Sequence, residues 1–537
     1  MMTYRTFLRG AAVIALVAAS YTVPQSAGAV QVTAFQQAVA ESLSGDEQIA
    51  AFYRERGFEP IWTGGTPADL ERRTALLEAL SMAHYHGLPA SRYDAEALLS
   101  RMASVRSGFD RGALEVSLTE LYLQFARDLQ TGVIDNPRRV RNEIVRDIPR
   151  RETSYYLDGL MSDAPQAFLA SLVPQSQEYA RLMKSKMRLE HRIAHGGWGA
   201  PVPSGKYEPG VTGAGVVALR DRLIAMGYLD PTVTARYDTS LTEAVRTFQE
   251  DHGLTVDGVA GGETLAQINV PPQDRLKSVI VAMERERWIN KPEGLGDRHI
   301  LVNLTDFNAR IFDHGKLTFE TRSVVGHQDI DRQTPEFSDV MDHMVINPSW
   351  YVPRSIIVNE YLPKLRSNPG AVSHLQITDS RGRVVSRNQS FARYSGNSFP
   401  FAMRQPPGPN NALGTVKFMF PNKHNIYLHD TPAKSLFSRE VRTYSHGCVR
   451  LNDPHDFAYA LLARQTDDPV GFFQSRLRSG SETRVNLDQP VPVHLIYRTA
   501  FTTAKGHTKY RRDVYGRDAA IWDALRAAGV EIGGVRS

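Results

Sequence analysis

A second cysteine is missing from this 537-residue sequence, in which Cys448 stands alone. No disulfide can therefore form within the chain, and with no C-x-x-C and no H-E-x-x-H the common zinc patterns are absent too. Also absent is any Lys/Arg block or stripe of alternating basic and aromatic residues. The net charge is only +5 and the pI about 9.1, so nucleic acid is not an expected partner. No apolar run reaches the roughly 20 residues that a membrane-spanning helix needs, so stable membrane insertion is not expected. What remains, with 42% hydrophobic and 23% charged residues, is the composition of a globular protein long enough for three or more domains.

The N-terminus carries a short apolar run, Gly10 to Ala19, after the basic Arg5 and Arg9. The small-residue triplet Ala27-Gly28-Ala29 follows. Basic start, apolar middle and A-x-A form the layout of a secretory signal peptide, expected over residues 1–29. An exported protein with one unpaired thiol either buries it inertly or keeps it for its reactivity. The neighbours of Cys448 decide for reactivity.

Residues 34–200 read as helical. Asp46 to Arg56, Arg72 to His86 and Leu114 to Leu129 carry apolar residues at helical spacing, and most charges there are expected on solvated faces. A Pro/Gly-rich linker, 201–210, leads to a module of about 211–270. Its two amphipathic stripes and short last helix predict three helices. From 274 to the end the pattern turns strand-like after a first helix, Asp274 to Asn290. His299 to Phe312, Leu317 to Gly326, Asn425 to His429 and Val491 to Tyr497 alternate apolar and polar residues. Residues 351–405, rich in Pro, Arg and Ser, interrupt these strands with a helical start and are expected to form a cap. The fold class is thus multidomain α+β.

The chemistry concentrates in Asn425-Ile426-Tyr427-Leu428-His429-Asp430-Thr431-Pro432 and in Ser445-His446-Gly447-Cys448-Val449-Arg450-Leu451-Asn452. An unassisted thiol is only about 3% thiolate at pH 7, so a cysteine nucleophile needs an imidazole near it. His446, two residues away, is poorly placed to reach back. His429 comes from another strand and can face Cys448. Strand alternation puts Tyr427 and His429 on one face and sends Asp430 to the other, so a backbone carbonyl near Ser445 or His446 is expected to orient His429. Gly447 allows close backbone approach, the N–H groups of Gly447 and Cys448 form a candidate oxyanion hole, and Arg450 is a candidate carboxylate clamp.

S-H-G-C-V-R, preceded by His-x-Thr at about fifteen residues, resembles the active-site signature of L,D-transpeptidases with a YkuD-type catalytic domain. Asn347-Pro348-Ser349-Trp350-Tyr351-Val352-Pro353 and the segment from Gln405 to Gly414 resemble its larger YcbB-like subgroup. Phe248, Gln249, Gly253, Leu254, Asp257, Gly258, Gly261, Thr264 and Ile268 fit the signature of a small helical peptidoglycan-binding domain. The resemblance implies a helical scaffold domain at 34–200, a peptidoglycan-binding domain at 211–270 and a β-rich catalytic domain at 274–537 with the cap inserted.

Carried across residue by residue, it implies Cys448 as nucleophile and His429 as general base, with Gly447 and His446 completing the catalytic set. Arg450 and Ser445 would bind substrate, beside Tyr427 and Trp350 as site walls. The implied reaction is attack of Cys448 on the diaminopimelate carbonyl of a tetrapeptide stem, release of D-Ala, and resolution of the thioester by an amine of a neighbouring stem. That cross-links peptidoglycan in the periplasm without metal or cofactor, and the family also suggests acylation by carbapenems. Water as acceptor would make the same site an L,D-carboxypeptidase. A wall-binding scaffold with a dead catalytic domain is the reading of another class, and the intact His429/Cys448 pair argues against it. The grouping of His424, His429, His446, Cys448 and His455 fits no common zinc spacing.

Overall fold

The computed structural model describes residues 32–43 and 46–532, so the signal-peptide segment lies outside the described residues. The first part of the chain is helical from Ala34–Ser42 to Gln177–Ala194, and its longest helix is Gly108–Thr131. Ser107 caps that helix and Asp110 returns the bond, a reciprocal capping box. The expectation of solvated charges fails at Glu115, which is buried at the centre of this unit. Its carboxylate takes N–H bonds from Ile61, Trp62 and Thr63 and O–H bonds from Tyr53 and Thr63. Five donors replace the water that burial strips away. They tie the loop 61–63 to the long helix.

The second unit has three helices, Ala214–Met226, Thr239–Asp251 and Gly262–Ile268, around Leu219, Leu223, Val245, Phe248 and Ile268. The structure gives its sequence signature a physical meaning. The Gln249 amide donates to Asp257 Oδ1, Val259 O and Thr264 Oγ1, and its carbonyl accepts the N–H groups of Asp257 and Gly258. Gln249, Asp257, Gly258 and Thr264 are thus one hydrogen-bonded clasp that closes the loop between the last two helices.

The helix Pro272–Trp288 then runs through the middle of the molecule. It packs on Gln177–Ala194 on one side and on the C-terminal helix Arg517–Ala527 on the other, in a shared apolar cluster that includes Tyr179, Leu276, Ile280, Ile521 and Leu525. Its last charged residues are all buried and all paired. Arg285 meets Glu336 and Asp518, Arg287 meets Glu284 and Tyr179, and Glu286 meets Arg498. Read from sequence as the start of the catalytic domain, this helix is equally part of the scaffold's packing.

Fourteen strands follow: β1 (Arg298–Asn303), β2 (Asn308–Asp313), β3 (Lys316–Gly326), β4 (Phe337–Ile346), β5 (Trp350–Tyr351), β6 (Gln376–Thr378), β7 (Ala402–Gln405), β8 (Val416–Met419), β9 (Leu428–His429), β10 (Thr443–Ser445), β11 (Val449–Leu451), β12 (Thr483–Ile496), β13 (Ala500–Thr502) and β14 (Thr508–Tyr510). Nine form one sheet in the order β10-β3-β11-β9-β8-β4-β12-β1-β2, and an added β3–β2 pairing closes it on itself. Closure leaves fewer open edges and encloses a core of alternate inward residues such as Ile300, Val302, Phe418, Leu428, Val449 and Leu495. The stretch His299 to Phe312 is a hairpin, turned where Phe307 adopts φ +54°.

The 351–405 region is a small unit with its own core. β5, β7 and β6 make a three-stranded sheet over Ile357, Leu362, Leu365, Ile377, Phe391 and Met403. Its helical start includes a π-helical turn, Ile357–Tyr361, of the kind often found near functional sites.

Candidate active site

The site is built on the adjoining strands β8, β9 and β11. β9 and β11 run parallel, with Leu428 opposite Val449 and His429 opposite Arg450. β8 and β9 run antiparallel, with Lys417 opposite His429 and Phe418 opposite Leu428. Leu428, Val449 and Phe418 are fully buried in the barrel core. Alternation therefore puts Lys417, Tyr427, His429, Cys448 and Arg450 together on the other face. Tyr427 lies level with Cys448, and His429 is one rung further along. The Tyr427 ring sits 5.6 Å from that of His429, and Lys417 Nζ lies 5.9 Å from its centre.

Cys448 is half-buried, and its Sγ lies 3.5 Å from Asn425 O. Burial pushes its thiol up to about 11, against the opposing pull of Tyr427, through its backbone N–H and its hydroxyl, and of the Arg450 and Lys417 charges. The resting nucleophile is therefore a neutral thiol. His429 is fully buried, and burial together with the Arg450 charge brings it down to about 3. Its Nδ1 lies 2.5 Å from the carbonyl oxygen of Asp430. A carbonyl only accepts, so Nδ1 carries the proton and Nε2 keeps its lone pair. That is the tautomer a general base needs.

The orienting group is thus a backbone carbonyl, as expected, but it belongs to Asp430 and not to the Ser445–His446 segment. It is the carbonyl of the next residue, brought round by the chain turning after β9. The Asp430 carboxylate faces elsewhere, accepting from Thr415 N–H, Thr415 Oγ1 and Lys434.

The turn before Cys448 differs from expectation in two ways. Ser445 is buried, with its hydroxyl donating to Cys448 O at 2.5 Å and accepting the Gly447 N–H at 3.1 Å. Its hydroxyl therefore shapes the nucleophile turn and does not point at substrate. The same bond occupies the Gly447 N–H, which removes it as an oxyanion donor and leaves the Cys448 N–H for that task. Gly447 adopts φ +110°, a Cβ there would come within 3.1 Å of Ile426 Cδ1, and its carbonyl accepts from Thr334. The glycine is required by the turn itself.

His446 is exposed and makes its side-chain contact with the cap. Its Nε2 meets Glu360 of the cap at 2.6 Å, and Glu360 also lies 3.7 Å from Arg332. Trp350 is not brought to the thiol by any described contact. It lies in β5, paired with Gln405, and its ring meets Tyr361 edge-on at 6.4 Å within the cap. An aromatic on a short strand finds its apolar partners locally, which the sequence motif did not reveal. Lys417 was missed from sequence because it lies outside both signature segments. Only the β8–β9 register brings it in. Among the described residues no three His, Cys, Asp or Glu side chains gather as a metal set.

Comparison with known proteins agrees with this architecture. Residues 297–470 match the L,D-transpeptidase catalytic domain (YkuD), residues 212–268 match a "Putative peptidoglycan binding domain", and residues 47–185 match a scaffold domain. A Haemophilus influenzae protein named "Putative L,D-transpeptidase" is 31% identical over 239 residues, which is 42% of this chain and 47% of that relative. The chain thus matches about half the length of the curated relative. Among solved structures, an L,D-transpeptidase (Yku) from Stackebrandtia nassauensis matches at 14% identity and TM-score 0.21, over 55% of this chain and 96% of that one. The L,D-transpeptidase from Xylanimonas cellulosilytica, residues 123–326, matches at 14% identity and TM-score 0.17, over 56% and 100%. Superpositions at those scores carry no weight. The fold is a multidomain α+β one, and the chain carries a catalytic domain of the YkuD L,D-transpeptidase family joined to a peptidoglycan-binding domain.

Proposed function

We propose that this chain is a peptidoglycan L,D-transpeptidase of the YcbB-like kind, acting in the periplasm through Cys448. Its substrates would be tetrapeptide stems on glycan strands, and its product a direct diaminopimelate-to-diaminopimelate link. The observation that carries the proposal is that a half-buried thiol and His429 share one sheet face on neighbouring strands, the imidazole held by the Asp430 carbonyl with Nε2 unprotonated. The domain content, wall-binding module and catalytic domain in one chain, supports the cell envelope as its place. Among the described residues no helix is long and apolar enough to cross a membrane.

The steps follow from these atoms. His429 Nε2 takes the thiol proton as Sγ attacks the L-centre carbonyl of diaminopimelate. The Cys448 N–H stabilises the oxyanion, a contribution typically worth about 10²–10³ in rate. His429 then gives the proton to the departing D-Ala nitrogen, leaving a thioester. A neighbouring stem's amine attacks the thioester, and its proton returns through His429 to the thiolate. Arg450 holds a substrate carboxylate on the acyl side. A carbapenem, an activated cyclic amide, would acylate the same sulfur.

Intact mass spectrometry tests this directly, with wild type and Cys448→Ala incubated with a carbapenem and, separately, with disaccharide-tetrapeptides. The expected result is a stoichiometric adduct on wild type alone and a muropeptide dimer linked through two diaminopimelates. Trimmed stems without dimer would make the protein an L,D-carboxypeptidase. No adduct and unchanged muropeptide would leave only a wall-binding protein.

A further inference from the structure

Two cations on the Cys448 face have no acidic partner. Lys417 and Arg450 flank His429 on either side in strand register, and neither forms an ion pair among the described residues. Arg450 Nε is buried without any hydrogen-bond partner. The acid nearest in effect to Lys417 is Glu482, whose carboxylate already takes the N–H and O–H of Ser349. The Tyr427 ring offers Lys417 a cation–π contact, yet a half-buried ammonium with that contact alone remains short of partners. A cation withdrawn from water without a counter-charge is costly, and active sites are where that cost is met by an incoming anion.

The order of the strands says which anion. Across the sheet the thiol lies at the residue leading into β11, the base on β9 and Lys417 on β8. The departing amine must sit at His429 to receive its proton, so the rest of the leaving group extends past His429, away from the sulfur. Its α-carboxylate is on the carbon next to that amine, and Lys417, opposite His429 on β8 with its ammonium over the Tyr427 ring, is the cation on that side. Arg450, two residues past the nucleophile and opposite His429 on the thiol side, is left for the acyl half.

We propose that Lys417 is the subsite for the α-carboxylate of the departing D-amino acid. The proposal rests on the transpeptidase reading and deepens it. In acylation the Sγ–C bond forms, the C–N bond breaks, the thiol proton moves by way of His429 to the leaving nitrogen, and free D-alanine remains paired with Lys417. In the second half the acceptor nitrogen forms the new C–N bond, the C–S bond breaks and the amine's proton returns to sulfur. The acceptor is the D-centre of diaminopimelate, which also bears an amine and a carboxylate on one carbon. One ammonium therefore positions leaving group and acceptor in turn.

The test compares a stem tetrapeptide ending in D-Ala with the same peptide ending in D-alaninamide, for wild type, Lys417→Met and Lys417→Arg. Release of the terminal residue and the acyl-enzyme mass are followed, and iodoacetamide labelling of Cys448 reports an intact site. Wild type is expected to favour the acid by about 10- to 100-fold in kcat/KM, the range of a charge-assisted contact. Lys417→Met should lose that preference through slower use of the acid alone, mainly as a raised KM, and Lys417→Arg should recover most of it. Wild type using acid and amide equally, or Lys417→Met keeping the preference while labelling normally, overturns the subsite. Wild type forming no acyl-enzyme from either peptide, with Cys448 still labelled, overturns the transpeptidase reading and the subsite with it.

Discussion

His446 Nε2 donates to Glu360 Oε1 across 2.6 Å, so the turn that carries Cys448 is fastened to the π-helical turn of the cap. The histidine of the S-H-G-C signature is thereby a cap contact and not a second base. Because both partners are partly exposed, the pair is worth at most about 1 kcal/mol. Glu360→Ala should raise amide hydrogen exchange across residues 354–367 by up to about fivefold, by loosening the cap without unfolding its core. Exchange unchanged in that segment would mean that the cap is held by its apolar contacts alone.

The half-buried thiol of Cys448, pushed up to about 11, gives a pH signature. Labelling by a neutral alkylating reagent should rise about tenfold per pH unit between pH 7 and 10, tracking the thiolate fraction. Tyr427→Phe removes a hydroxyl that favours the thiolate and should slow labelling further at each pH. A rate that levels off near pH 8 would contradict the neutral resting state.

For His429 the sign runs the other way. Its proton affinity is lowered to about 3 by burial and by Arg450, so the free base persists as the solution is acidified. Acylation should show no loss attributable to His429 between pH 7 and about 5, and His429→Ala should cost about 10²–10⁴ in acylation rate. The unfolded chain binds this proton near pH 6.5 and the folded one near 3. Stability from this residue is therefore fully present above about 6.5 and lost as pH falls towards 3. An acid limb centred near 6.5 that disappears in His429→Ala would overturn the assignment.

Gln249 closes the clasp of the three-helix module through five hydrogen bonds. Gln249→Ala leaves buried partners unmet at a cost of about 2 kcal/mol or more. Hydrogen exchange over residues 253–268 should accelerate at least tenfold, with the barrel strands unaffected. Equal protection in that loop would show that apolar packing alone holds it.

Much of this was legible in the sequence, for reasons that differ by level. Apolar periodicity exposed the helical part and the strands, because burial on one face leaves a repeat. The two signature segments exposed Cys448 and His429, since a thiol and an imidazole near small residues are rare neighbours. The Asp430 carbonyl could not be read, because any residue offers one and only the turn after β9 aims it. Lys417 was hidden because register pairs it with a residue twelve positions away. Glu115 looked like any surface charge, since its five donors come from two distant segments.

The helix Pro272–Trp288 has a consequence for how such a protein can be divided. A fragment cut at the start of β1 would keep Glu336 and Asp518 buried while discarding Arg285, and would strip the C-terminal helix of its apolar neighbour. A chain begun at residue 297 and carried to the C-terminal helix should therefore give insoluble material. Recombination between relatives would have to exchange scaffold, central helix and tail as one inherited block.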